Sequence, residues 1–179
     1  MTEKERVYFM NEPRLMLCEK NDLSFFSHFS SLWNLYIDEL SQYSKRLKEE
    51  PVTKGEILSM WYNPDIELYL VLLDENPIGF LLLGINKNKH EFSDWFIGEF
   101  YIAKNHQSKG IGKKVIGDLL GRKKGSYCLF ILHKNHKALK FWDKVFTESE
   151  YINTTERFFC GHTPEDCYFK VYEPKDATS

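Results

Sequence analysis

Long apolar runs are missing from this sequence. The longest, Ile78–Ile85, is only eight residues, far short of the roughly 18 needed to cross a bilayer. The leading MTEKERVYF has no apolar core of the signal-peptide kind, so a cytoplasmic protein with no membrane partner is expected. Net charge is nearly absent as well: 24 Lys and Arg against 26 Asp and Glu leave −2, which argues against a general nucleic-acid binder. Cysteine is scarce. Cys18, Cys128, Cys160 and Cys167 show no tight pairing pattern, and reduced thiols are the default inside a cell. Cys160, His162 and Cys167 bring metal-ligating types close together, but no fourth partner stands at finger-like spacing, so no metal is expected. Aromatic residues, by contrast, are plentiful: 14 Phe, 10 Tyr and 4 Trp favour a packed interior and a lined pocket. With 179 residues, 42% hydrophobic and 28% charged, the chain has the size and composition of one folded domain rather than a disordered one.

The balanced total hides a local imbalance. Between Ala103 and Ser126 stand Lys104, Lys109, Lys113, Lys114, Arg122, Lys123 and Lys124 against the single acid Asp118. That window carries +6, so the rest of the chain carries −8. A basic segment beside glycines suits a phosphate-bearing ligand, and it equally suits a solvated helix face.

Strand and helix patterns alternate along the chain. Arg14–Glu19 reads as a short strand, and Asp22 as the N-cap of a helix carrying Phe26, Phe29, Trp33, Tyr36 and Leu40 at three- and four-residue spacing. The polar stretch SQYSKRLKEEP breaks that pattern. A short helix follows from Thr53 and ends before Pro64. Glu67–Leu73 and Ile78–Ile85 read as the arms of a hairpin about the turn signal DENP. After a polar loop come a strand at Trp95–Ile102, a helix over Gly110–Leu120 and a buried strand at Tyr127–Leu132. A helix from His136 shows Leu139, Trp142 and Val145. Two last strands are expected near Tyr151–Phe159 and Tyr168–Tyr172, with GHTPED between them. No repeat or linker interrupts this order, and one α/β domain is its simplest account.

The chemistry concentrates where the Trp95–Ile102 strand passes through AKNH into Gln107-Ser108-Lys109-Gly110-Ile111-Gly112 and straight into a helix. A helix N-terminus has unpaired N–H groups and a positive partial charge, both of which attract phosphate. Glycines let backbone approach phosphate oxygens closely. The nucleotide-binding loops GxxxxGK[ST] and GxGxxG are absent. Taken alone, the loop could equally be a tight strand-to-helix turn.

This hexapeptide resembles the Q/R-x-x-G-x-G/A signature of the GNAT acetyltransferase superfamily. Downstream, Asn135-His136-Lys137-Ala138-Leu139-Lys140-Phe141-Trp142 is similar to the family's N-x-x-A-x-x-F-Y segment, at fitting separation. The order of elements matches over nearly the whole chain. The resemblance implies an α/β (α+β) fold: a mixed, mostly antiparallel sheet of six to seven strands with four helices, strands four and five splayed. It implies that Gln107, Ser108, Lys109, Gly110, Ile111, Gly112 and Lys113 hold the diphosphate of acetyl-CoA. The backbone of Phe100, Tyr101 and Ile102 would bind the pantetheine arm, with Asn135 beside it and Phe141 and Trp142 walling its far side. For these two aromatic residues, ordinary core packing is the competing role.

Acetyl transfer to an amine needs a base, because an ammonium of pKa about 10.4 has no lone pair to attack with. Glu99 is the candidate, acting directly or through water; a solvated or substrate-orienting carboxylate is its alternative role. Donors from the splayed strand would stabilise the oxygen of the tetrahedral intermediate. The family's usual proton donor to the leaving thiolate is the Tyr of the F-Y pair, and this chain has Trp142, whose indole is no practical proton source. His133, His136, Tyr101 and Tyr151 are then the candidates. Phe25, Phe26, Phe29, Trp33, Tyr36 and Tyr43, with Asp38 and Glu39, fall where the family shapes its acceptor pocket, although spacing makes most of these aromatics core. An N-acetyltransferase acting on a small-molecule amine is the expectation. A protein or peptide N-acetyltransferase and a non-catalytic acetyl-CoA-binding module are the alternatives, and a homodimer is one assembly open to any of them.

Overall fold

A computed structural model describes residues 12–50, 52–85, 93–159 and 166–175. Seven strands form one sheet, in the order β1-β2-β3-β4-β5-β7-β6: β1 (Arg14–Leu17), β2 (Ile66–Leu73), β3 (Asn76–Ile85), β4 (Trp95–Ile102), β5 (Tyr127–Leu132), β6 (Tyr151–Phe159) and β7 (Cys167–Pro174). All neighbours are antiparallel except β4 and β5. The helices are α1 (Leu23–Ser41), α2 (Lys45–Glu49), α3 (Lys54–Tyr62), α4 (Ile111–Arg122) and α5 (His136–Glu148).

Each element follows from its residues. β2 and β3 are joined by the two-residue turn Asp74-Glu75, both at positive φ, the twist that suits a tight hairpin. Asp22 caps α1 by accepting from the Ser24 N–H at 2.8 Å, and Thr53 and Glu56 form a reciprocal capping box on α3. Helices cover both faces of the sheet. On one, α4 and α5 bury Val115, Ile116, Leu119, Val145 and Phe146 against Val71, Leu81, Leu83 and Leu129. On the other, Phe29, Leu32 and Trp33 of α1 and Ile57 and Trp61 of α3 pack on Leu68, Leu70, Phe80 and Leu82. Each such side chain contributes about 1.5–3 kcal/mol on burial, which fixes both helix layers against the strands.

The segment between α1 and α3 departs from its sequence pattern. The stretch SQYSKRLKEEP contains α2, a five-residue helix that buries none of its own side chains. Its signal is the cap, not apolar spacing: buried Ser44 accepts from the Leu47 N–H at 3.2 Å. Cys18, Cys128 and Cys167 are free thiols. Cys160 and His162 lie outside the described residues, and among those described no group of His, Cys, Asp and Glu is placed to hold a metal ion. No helix among the described residues is long and apolar enough to cross a membrane.

Candidate active site

The site begins with an irregularity in β4. Trp95, Phe96 and Ile97 run in register with Tyr127, Cys128 and Leu129 of β5, and the pairing stops there. On its other edge β4 stays with β3, but Leu83 faces Ile97 while Leu82 faces Glu99, so Gly98 is one residue too many. A bulge of this kind bends its strand and resets the alternation of side chains. Trp95 and Ile97 face the α4–α5 layer, and so, after the bulge, do Phe100 and Ile102. Tyr101 instead joins the α1–α3 layer. Glu99 is thereby turned towards α1, where the Tyr36 hydroxyl donates to its Oε2.

Past Ile97 the edge of β4 facing β5 has no ladder partner, whereas β5 continues to Leu132 beside β7. The strands therefore part, leaving backbone groups of β4 open to a guest molecule. Two cavities meet at the gap and share Tyr36, Leu40, Phe100, Asn135, Ala138 and Trp142. The first, about 350 Å³, reaches the turn before α4 and is bordered by His106, Lys113, Lys137 and Lys144. The second, about 390 Å³, opens between α1, α2 and β5 and contains Glu99.

The turn before α4 is built to receive an anion. Gly110 is the N-cap of α4 at φ 80°, and no side chain among the described residues caps this end. The first intrahelical bond runs from the Lys114 N–H to the Gly110 carbonyl at 3.0 Å, so the amides before it have no i−4 acceptor. A Cβ at Gly110 would meet no protein atom within 4 Å; one at Gly112 would come to 3.1 Å from the Phe141 ring and 3.5 Å from Phe100. Space is thus kept open at the first glycine, and the second lets Phe141 close on the helix. Ser108 also sits at positive φ, 60°. Gln107 is pinned rather than free: its Nε2 donates to the Ile102 carbonyl at 2.8 Å and to both oxygens of Glu39, and its Oε1 accepts from Lys137. A diphosphate fits this donor set, with uncapped amides at the centre and lysines around them.

The residues singled out in the sequence fall into two groups. Phe100, Tyr101, Ile102, Gln107, Ser108, Gly110, Gly112, Lys113, Asn135, Phe141 and Trp142 all border the first cavity. Lys109 and Ile111 do not: Lys109 is exposed and the Ile111 side chain belongs to the core, so each can offer only backbone or long-range charge there. Lys113 is shared with Glu148 at 2.8 Å. Asn135, which borders both cavities, is the N-cap of α5, its Oδ1 accepting from the Ala138 N–H at 3.0 Å, so that the cap leaves its Nδ2 unused. Trp142 is 7% exposed and, with Phe141, packs on Phe100, so both aromatics are core and cavity wall at once. Of the four alternative proton donors Tyr101 borders one of these two cavities; Tyr151 is buried beside Tyr127 and Phe146, His133 lies against Phe158, and His136 is exposed in the first turn of α5.

Sequence spacing placed Tyr36 among core aromatics and missed its tie to Glu99. Burial drives the Glu99 carboxyl up to about 7, partly offset by the Tyr36 hydrogen bond. Burial, together with the neighbouring carboxylate, pushes the Tyr36 hydroxyl well above its ordinary range, so it stays a donor. A carboxylate near neutrality at the mouth of a strand gap has the proton affinity of a general base.

An acetyltransferase of the GNAT family from Bacteroides thetaiotaomicron superposes with a TM-score of 0.64 at 15% identity, covering 93% of this chain and 90% of that one. Spermidine N-acetyltransferase from Vibrio cholerae, solved with CoA and spermine, gives 0.60 at 19% identity, covering 94% and 99%. An acetyltransferase from Thermus thermophilus gives 0.57 at 14%, covering 90% and 97%. At these identities the likeness is one of fold. No protein among the curated sequences matches the chain. The model of the acetyltransferase (GNAT) family matches residues 29–146, a span that contains the bulged strand, the glycine turn and nearly all of α5, and the chain belongs to that family.

Proposed function

We propose that this acetyl-CoA-dependent N-acetyltransferase transfers its acetyl group to the primary amine of a small molecule, using the whole chain as one catalytic domain. The observation that carries the proposal is the parting of β4 from β5 at Gly98, with an uncapped, lysine-ringed helix end on one side and Glu99 on the other. Acetyl-CoA supplies a thioester already activated towards an amine. The amides at Gly110–Lys113 would hold its diphosphate, and Lys137 and Lys144 add charge on the same side. Phe100 and Ile102 have backbone groups on the edge of β4 that faces the gap, the Ile102 carbonyl already accepting from Gln107, whereas those of Tyr101 lie in the ladder to β3. The Asn135 amide nitrogen, which the cap does not use, adds a donor. The donor N–H groups of β4 are fixed before any substrate arrives, as stabilisation of a developing oxyanion requires.

Glu99 takes the proton that the attacking ammonium must lose. Tyr36 keeps one carboxylate oxygen occupied, so Oε1 is the oxygen left for the amine or an intervening water. No tyrosine stands at Trp142. A thiol of pKa about 8.5 leaves tolerably without assistance, and Tyr101 on the wall of the first cavity is the remaining hydroxyl among the four candidates.

Calorimetry with acetyl-CoA, followed by thiol-release assays over an amine panel, tests this. Gly110→Val should lower acetyl-CoA affinity at least about tenfold, since the side chain would fill space that no protein atom occupies and strain a φ of 80°. Unchanged affinity would remove the diphosphate role. Tight binding without turnover on any amine would leave a binding module instead of an enzyme.

A further inference from the structure

The second cavity differs in chemistry from the first. Its walls are Leu40, Leu47, Phe96, Phe130, Leu132 and the shared Trp142. Among the described residues bordering it, Glu99 is the one acid and Arg46 the one base. Phe130 is 48% exposed and lies against Phe96, Phe159 and Phe169. It therefore carries the apolar wall out from the gap to the cavity mouth. Arg46, on α2, is the exposed charge on the opposite wall.

We infer that the acceptor is a primary amine on an apolar body with a single positive charge, of the arylalkyl- or branched alkylamine kind, and that polyamines are disfavoured. The inference rests on the proposed acetyl transfer for its site and deepens it. Among the described residues of this cavity one ammonium finds one carboxylate, Glu99, since Glu39 on the first cavity is held by Gln107. A second ammonium in this cavity would lie against aromatic walls, where an unpaired charge is costly. An aromatic or branched body instead buries its apolar surface on Phe96 and Phe130, with a further gain from ring-to-ring packing.

The test is calorimetric titration of phenethylamine and of spermidine into the protein, with and without CoA, so that amine preference is read whether or not the donor binds. Phenethylamine should bind at least about tenfold more tightly than spermidine, and Phe130→Ala should weaken phenethylamine about tenfold. The affinity for CoA should not change, because Phe130 does not border the first cavity. Spermidine binding as tightly as phenethylamine, no binding of either amine, or indifference of phenethylamine to Phe130→Ala would each overturn the inference. Failure of CoA to bind would instead strike the acetyl-transfer proposal, with the ranking of the amines still read from the CoA-free titrations.

Discussion

Replacing Glu99 by Gln should make the protein a worse enzyme and, at alkaline pH, a more stable one. Burial raises this carboxyl from the ordinary 4.5 to about 7, so the folded protein holds the proton more tightly than the unfolded chain does. Stability therefore falls as pH climbs from 4.5 to 7, and above 7 the fold bears the full cost of a half-buried, poorly solvated carboxylate. The shift corresponds to about 3 kcal/mol at most. Glutamine keeps an acceptor for the Tyr36 hydroxyl and carries no charge. At pH 8 its melting temperature should exceed that of the natural protein by about 2–4 °C for each kcal/mol relieved; near pH 4.5 the two should coincide. Activity should move the other way. In the natural protein about one molecule in ten is deprotonated at Glu99 at pH 6 and about nine in ten at pH 8, so thiol release should rise about tenfold between them. In the glutamine variant that limb disappears, and turnover near pH 8 falls by about 10² to 10⁴. Differential scanning fluorimetry and a thiol-release pH profile read the two effects. A variant that keeps the limb near pH 7, or loses stability equally at both pH values, would refute the assignment of Glu99 as a desolvated base.

Two further substitutions separate roles that the structure superimposes. Asn135→Asp preserves the Oδ1 acceptor that caps α5 but removes the Nδ2 donor, so acetyl-CoA affinity should fall with little change in melting temperature; Asn135→Ala should lose both, at about 1 kcal/mol for the cap. Equal affinities for the two variants and the natural protein would mean that Asn135 only caps. Lys170 is 4% exposed and ties Asp143 at 2.8 Å to Glu156 at 2.8 Å, joining α5, β6 and β7. Because both carboxylates are about half exposed and can be solvated, Lys170→Met should cost about 2 kcal/mol in urea denaturation rather than the larger figure of a fully buried pair. A neutral result would show that the apolar stem alone holds the three elements.

How much of this could be seen in the sequence depended on whether the cause was local. The strands of the hairpin, the capped helices and the glycine turn announce themselves within a dozen residues, because periodicity, caps and positive-φ positions are local signals. α2 escaped because a helix that buries nothing shows no apolar spacing, although Ser44 with Leu47 three residues on gave its cap. The tie between Tyr36 and Glu99 joins residues 63 apart in the chain, and α1 offers many aromatics at core spacing, so nothing local distinguished the one that faces a carboxylate. What turns Glu99 to that side is the extra residue at Gly98. Strict alternation from Ile97 would have set Glu99 beside it on the α4–α5 face, where apolar side chains would have had to accommodate its charge. The one local trace of this reversal was a glycine inside a strand pattern, a recognised mark of a bulge. The same insertion coincides with the end of pairing to β5. One irregularity thus accounts both for the gap that would admit the donor and for the position of the base that would serve the acceptor, and moving either without the other would require relocating the bulge.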